Sequence, residues 1–196
     1  VLCGEENEEV AGLCGDIGDV FLELEEYHDA LEYYKKALEI RKVLCGEENE
    51  EVAGLCGDIG IVFLKLEEYH DALEYYKKAL AIRKRVLGDS HIDTVRSYEY
   101  VALAYYILGE YQRSLEYSEK ALEIRMEIDG GDQESIALVY DLIGETYERL
   151  KEMGISAARV SLSEPSVSRS WGLNLFTAQL IVNFFWPLFF FNLQAY

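Results

Sequence analysis

The residues of this 196-residue chain that could carry chemistry are three histidines and four cysteines. His28 and His70 each follow a tyrosine, Tyr27 and Tyr69, and such a pair could in principle pass a proton. A general acid or base needs a positioned partner within hydrogen-bond reach. No nucleophile or carboxylate constellation recurs with these pairs, and His91 stands alone in a connector. The reading is solvated turn residues, with no enzymatic activity implied. The cysteines form two copied pairs, Cys3/Cys14 and Cys45/Cys56, without a CxxC motif or a Cys/His cluster, so the usual zinc spacing is missing. With no signal peptide, the spacings predict free thiols in a reducing, cytoplasmic setting. No metal and no cofactor is implied.

The copying that places those pairs is the dominant feature of the chain. The stretch from Val1 to Lys42 restarts at Val43 and differs only at Asp19/Ile61, Glu23/Lys65 and Glu39/Ala81. A third, diverged copy keeps Tyr111 in register with Tyr27 and Tyr69, and Ala121 in register with Ala37 and Ala79; a fourth opens at about residue 136 and loses the pattern after Met153. A fixed period of this length marks a repeat architecture in which stacked units share a continuous core.

Each copy reads as two amphipathic stretches joined by a short turn, roughly Val10–Leu24 and Tyr27–Lys42 in the first. Ala30, Tyr34, Ala37 and Leu38 recur at helical steps and define one buried face. Glu32–Lys36, Glu74–Lys78 and Glu116–Lys120 are i,i+4 pairs in the favourable order. Tyr34 and Tyr76 are assigned to the core between helices, and Tyr33 and Tyr75 to packing against the next repeat. Gly12, Gly15 and their copies fall inside the first helices, where each costs roughly 0.5–1 kcal/mol against alanine, so those helices are expected to be short or loose at their starts.

Small and large residues alternate in a way that resembles the tetratricopeptide repeat. Ile17-Gly18 with Phe21, and Ala30 with Tyr34, stand where that pattern has Leu-Gly with Tyr, and Ala with Phe. Ile59-Gly60/Phe63, Val101-Ala102/Tyr105 and Ile143-Gly144/Tyr147 follow in the later copies, and Cys14, Cys56, Tyr98 and Tyr140 occupy the first position. The connector RKRVLGDSHIDTV is similar to the joints of kinesin light chains, although GEENEEV departs from it in the first copies. HEAT and armadillo repeats have a comparable period but lack these paired positions. The resemblance implies an all-α fold, a right-handed superhelix of antiparallel helix pairs (TPR α-solenoid). It divides the chain into an array over residues 1–153, in units 1–42, 43–85, 86–126 and 127–153.

In that superfamily the first helices line a concave surface that takes partner segments. The resemblance places Asp19, Leu22 and Glu23 there, then Ile61, Leu64 and Lys65, then Leu103, Tyr106 and Ile107, and finally Glu145, Glu148 and Arg149. Two of the three differences between the twin copies fall on these positions, while the expected core is unchanged. The function implied is a scaffold or adaptor binding a partner peptide or helix. The net charge of −19 argues against nucleic acid, which needs a basic stripe, and favours a protein or peptide partner with basic and apolar residues.

Beyond the array, residues 154–170 read as a serine-rich linker and residues 171–196 as an uncharged apolar tail. The tail is long enough for a bilayer, which takes about 20 apolar residues, but Asn174, Gln179, Asn183 and Pro187 interrupt it. A membrane span, a capping helix and a segment foreign to the array all stay open. A membrane-tethered or structural array, or a fragment of a larger signalling protein, is the alternative reading of function. Val1 begins inside a connector, as though an earlier repeat preceded it. Deleting residues 160–196 is expected to leave the thermal midpoint of the array nearly unchanged; loss of the fourth repeat on deletion would make the tail a cap.

Overall fold

The computed structural model describes residues 8–129 and 133–153, and every element among them is a helix. They run α1 (Glu8–Glu23), α2 (Tyr27–Cys45), α3 (Glu50–Lys65), α4 (Tyr69–Val86), α5 (Ile92–Ile107), α6 (Tyr111–Asp129) and α7 (Gln133–Glu152). The pairs α1/α2, α3/α4 and α5/α6 pack most closely, and each second helix also packs on the next first helix. This is the expected helix-pair solenoid. The linker and tail assigned to 154–170 and 171–196 lie outside the described residues.

The turn inside each pair has one design used three times. Glu26 N–H donates to the Phe21 carbonyl at 2.9 Å and Glu25 N–H to that of Leu22 at 3.1 Å. Glu68 with Phe63 and Glu67 with Leu64, then Glu110 with Tyr105 and Gly109 with Tyr106, repeat the pattern. These crossed bonds satisfy the last carbonyls of the first helix and require a left-handed residue after it. Glu25, Glu67 and Gly109 hold that position with φ of 61°, 62° and 76°. Only the third copy has the glycine that suits it, so the twin repeats carry a strain of about 1 kcal/mol at each glutamate.

The small residues of the first helices are set by the second helices. A Cβ carbon at Gly18 would sit 2.7 Å from the Tyr34 ring, and one at Gly60 2.5 Å from that of Tyr76. In the third copy Ala102 replaces the glycine and Ser118 replaces the tyrosine, both buried. The extra methyl on one helix is matched by a smaller side chain on the other. Around these contacts Ile59, Val62, Ala72, Val95 and Val101 form a single core running through the repeats.

Several details differ from the sequence reading. α1 and α3 are as long as α5, 16 residues each, so their glycines do not shorten them. In α3 Asn49 caps the start by accepting from Glu51 N–H at 2.8 Å, and Arg83 holds Glu50 at 2.9 Å. Tyr33 and Tyr75 pack within their own repeats, on Phe21 at 5.4 Å and Phe63 at 5.5 Å between centroids. Tyr76 instead reaches the next repeat, stacking on Tyr100 at 5.1 Å. The expected Glu32–Lys36 and Glu74–Lys78 pairs form at 2.6 Å, whereas Lys120 turns to Glu123.

Two glycines of one helix should therefore respond oppositely. Gly60→Leu is expected to destabilise by about 1–3 kcal/mol or more, through overpacking against Tyr76. Gly54→Ala, where a Cβ meets open space, is expected to stabilise by about 0.5–1 kcal/mol. Urea titrations of the two variants check both signs.

Candidate partner-binding groove

The first helices present one face that their own repeats do not cover. Gly54, Gly57, Asp58 and Ile61 follow at steps of three, one and three along α3, and Asp93, Arg96 and Tyr100 at steps of three and four along α5. Together with Arg83 of α4 they line a cleft of about 160 Å³. A Cβ added at Gly54 or Gly57 would touch nothing within 4 Å, and the same is true of Gly12 and Gly15 in α1. The floor of this face is bare helix backbone.

Arg83 fixes the cleft at the junction of two repeats. Its Nε donates to Glu50 Oε1 at 2.9 Å, and its Nη1 to Ser97 Oγ at 3.0 Å and to the Asp93 carbonyl at 3.5 Å. Arg41, at the same register, bridges Glu8 of its own repeat at 3.5 Å and Glu51 of the next at 3.0 Å. A planar guanidinium with several donors in fixed directions suits such a joint better than an ammonium.

The twin repeats differ most in their polar interior. Tyr34 donates its hydroxyl to Asp19 Oδ1 at 2.5 Å. Ile61 stands at the Asp19 register in the second copy, and the buried hydroxyl of Tyr76 has no hydrogen-bond partner. Burial first, and then the bond to Asp19, push the Tyr34 phenol well above its usual range. Burial, followed by the nearby Asp19 charge and against the opposing pull of Arg83, raises Asp58 to about 6.

The twelve residues expected on this surface are only partly brought together. Ile61 lines the cleft, and Asp19 lies close enough to Asp58 to act on its charge. Leu22 and Leu64 are half-buried and pack against the core. Glu23 and Lys65 are exposed, Leu103 is half-buried, and Ile107 is exposed. Tyr106 makes an edge contact with Tyr111 at 5.7 Å and a side-chain hydrogen bond with Arg149. Arg149 also pairs with Glu152 at 3.3 Å, Glu148 lies 3.8 Å from Lys151, and Glu145 is exposed.

The sequence reading missed Asp58, Arg96, Tyr100 and the glycine floor. The available signal was the spacing of Gly54 and Gly57, three apart and copied from Gly12 and Gly15, which puts both on one helical face.

His28 and His70 are exposed, and His91 caps α5 by accepting from Asp93 N–H at 3.3 Å. Cys14, Cys45 and Cys56 are free, and no cluster among the described residues could hold a metal ion.

Asp58 gives this site a pH signature. Between its unfolded value near 4 and about 6, the folded carboxyl keeps its proton while the unfolded one has lost it, so stability falls as pH rises through that window. Asp58→Asn is expected to stabilise the chain at pH 7 by about 1–2 kcal/mol after allowance for solvent screening. The gain should shrink towards pH 4 in urea titrations run across the window.

Comparison with known proteins agrees with this geometry. The sequence model of the tetratricopeptide repeat matches residues 8–85, 53–125 and 93–154. No curated protein matches the sequence. Among solved structures, BtubC (BKLC) from P. vanneervenii is similar with a TM-score of 0.69 at 21% identity, over 86% of this chain and 65% of that one. The chain thus spans under two thirds of that protein's length. The Sgt2 TPR domain from Aspergillus fumigatus is similar with a TM-score of 0.57 at 17% identity, over 82% of this chain and 87% of that one. The TPR domain of Arabidopsis FLU is similar with a TM-score of 0.54 at 26% identity, over 61% of this chain and 96% of that one. The first two likenesses are of fold alone. With sequence matches that together run from residue 8 to residue 154, the chain belongs to the tetratricopeptide repeat family and is a protein-interaction repeat module.

Proposed function

We propose that the chain is a cytoplasmic scaffold or adaptor that holds an extended or helical segment of a partner protein along the exposed face of its first helices. The observation that carries this reading is the bare floor at Gly54 and Gly57, where added side chains meet open space. A helix surface without side chains lets another backbone approach closely. Ile61 and Tyr100 supply apolar and aromatic walls beside it. Asp58, with Asp19 nearby, supplies negative charge for a lysine or arginine of the partner. Leu103, Tyr106 and Ile107 extend the apolar part, and Asp19, Glu23, Glu145 and Glu148 favour basic flanks. The net charge of −19 attracts such a partner over longer distances. Among the described residues no helix is long and apolar enough to cross a membrane.

Selection of random displayed peptides on the full chain tests the reading. Enriched sequences are expected to combine lysine or arginine with aromatic or aliphatic residues. Their affinity should fall with added salt, because exposed charges are screened over about 8–10 Å at physiological ionic strength. Tyr106→Ala should weaken them more than Glu23→Gln, since desolvated aromatic anchors outweigh rim charges. Gly57→Leu, which fills the floor, should weaken them by about tenfold or more. Lys36→Ala, on an exposed position of α2, should change nothing. Lys35 is unsuited as a neutral control, because its ammonium lies 5.2 Å from the Phe63 ring at the repeat interface. Peptides that ignore Gly57→Leu and respond to Lys36→Ala would move the binding surface to the second helices.

A further inference from the structure

The cleft where α3 meets α5 differs from its counterparts at the other repeat junctions. One register of the first helices reads Asp16, Asp58, Tyr100 and Leu142 along the chain. Successive junctions therefore pair two carboxylates, then a carboxylate with a ring, then a ring with a leucine. At this register only α3 and α5, among the described residues, pair a carboxylate with an aromatic ring, and both line one cleft of about 160 Å³.

The charges around Asp58 already have partners of their own. From α4, Arg83 gives its Nε to Glu50 and its Nη1 to Ser97 and the Asp93 carbonyl. On α5, Arg96 pairs with one Asp93 carboxylate oxygen at 3.4 Å, and His91 lies 3.4 Å from the other. From α1, Asp19 accepts the Tyr34 hydroxyl of α2 with one oxygen. Burial pushes the phenols of Tyr34 and Tyr76 up, so both stay neutral. Asp58 is half-buried and has no hydrogen bond or ion pair among the described residues; Asp19 and Arg83 act on it only through their charge.

Tyr100 is open in the same way. Its ring stacks on Tyr76 with centroids 5.1 Å apart and planes at 12°, which fixes its orientation, and it also lines the cleft. Elsewhere the chain sets its own cations on rings, Lys77 at 4.8 Å from Tyr105 and Lys35 at 5.2 Å from Phe63. Among the described residues no such cation lies over Tyr100.

We infer that this cleft is an arginine pocket, in which one guanidinium of the partner segment lies on the Tyr100 ring and pairs with the Asp58 carboxylate. The inference rests on the groove reading, since the partner backbone reaches the pocket over the floor at Gly54 and Gly57. A planar, weakly hydrated guanidinium can stack on a ring and aim its N–H groups at a carboxylate together. An ammonium is a strongly hydrated point charge and cannot stack. Burial, with the Asp19 charge and against Arg83, holds Asp58 at about 6 in the free chain, so below that pH arginine must displace a proton.

The probe is the blocked pentapeptide acetyl-Ala-Leu-Arg-Leu-Ala-amide, titrated into the full isotope-labelled chain and followed by amide shifts in nuclear magnetic resonance. It is expected to bind saturably and to move the amides of Gly57, Asp58 and Tyr100. Lysine in place of arginine should weaken it by about fivefold or more, and uncharged citrulline by more still. Asp58→Asn and Tyr100→Leu should each cost about tenfold, while Tyr100→Phe keeps the ring and the affinity. From pH 7 to pH 5 the affinity should fall by about tenfold as Asp58 takes up its proton, and Asp58→Asn should remove that dependence. Circular dichroism should show Asp58→Asn folded, because it removes a half-buried charge.

Equal binding of the lysine peptide, or affinity that ignores Asp58→Asn or pH, would overturn the pocket. If the probe does not bind while displayed peptides bind and respond to Gly57→Leu, the groove stands and the arginine pocket falls. If no peptide binds in either experiment, both fall.

Discussion

The structure depends on how closely the two helices of a repeat approach, and one pair of residues sets that distance. In the first two repeats a tyrosine of the second helix lies against the first helix at a glycine, with no room for a Cβ between them. The third repeat places alanine opposite serine at the same registers and keeps both buried. Volume moves from one helix to the other while the packing is maintained, as expected of an interior that resists both voids and extra atoms. With that approach fixed, the second helix turns its remaining face to the next repeat, where Arg41 and Arg83 join neighbouring first helices. On the first helices this leaves Gly54 and Gly57 facing open space.

The twin copies show how a single substitution redistributes polar interactions. Asp19 gives Tyr34 an acceptor at 2.5 Å, and Ile61 leaves Tyr76 with a buried, unpaired hydroxyl. An unsatisfied buried hydroxyl costs about 1–3 kcal/mol. Ile61 becomes a wall of the cleft, and Tyr76 stacks on Tyr100, which stands at the register that Asp58 holds one repeat earlier. The exchange gives up a hydrogen bond inside the repeat and adds apolar surface where repeats meet.

The repeat period, the helix pairs and the Gly/Ala/Tyr positions were legible in the sequence because they arise from contacts repeated at fixed spacing. The turn was legible as a break, but its left-handed residue was not, since Glu25 and Glu67 give no sign of positive φ and only Gly109 does. Of the positions expected on the first helices, Ile61 lines the cleft and Asp19 stands near Asp58, while the openness of the helix at Gly54 and Gly57 is not legible in a sequence where mid-helix glycines signal weakness. Arg41 and Arg83 stabilise the starts of these helices from positions distant in sequence, which no local propensity reveals, whereas the Asn49 cap acts two residues away and is a local signal. Nothing local marks Lys35 as an interface residue, because its contact with the Phe63 ring exists only once repeats stack.

The packing constraint is tested most directly by a double-mutant cycle on Gly60 and Tyr76, with stability read from urea titrations. Gly60→Ala alone should destabilise, because its Cβ would meet the Tyr76 ring at 2.5 Å. With Tyr76→Ser also present, as Ala102 and Ser118 stand together in the third repeat, the same alanine should become neutral or stabilising. The coupling between the two changes should then be about 1–3 kcal/mol. Additive effects, with the alanine costing as much beside serine as beside tyrosine, would contradict the account.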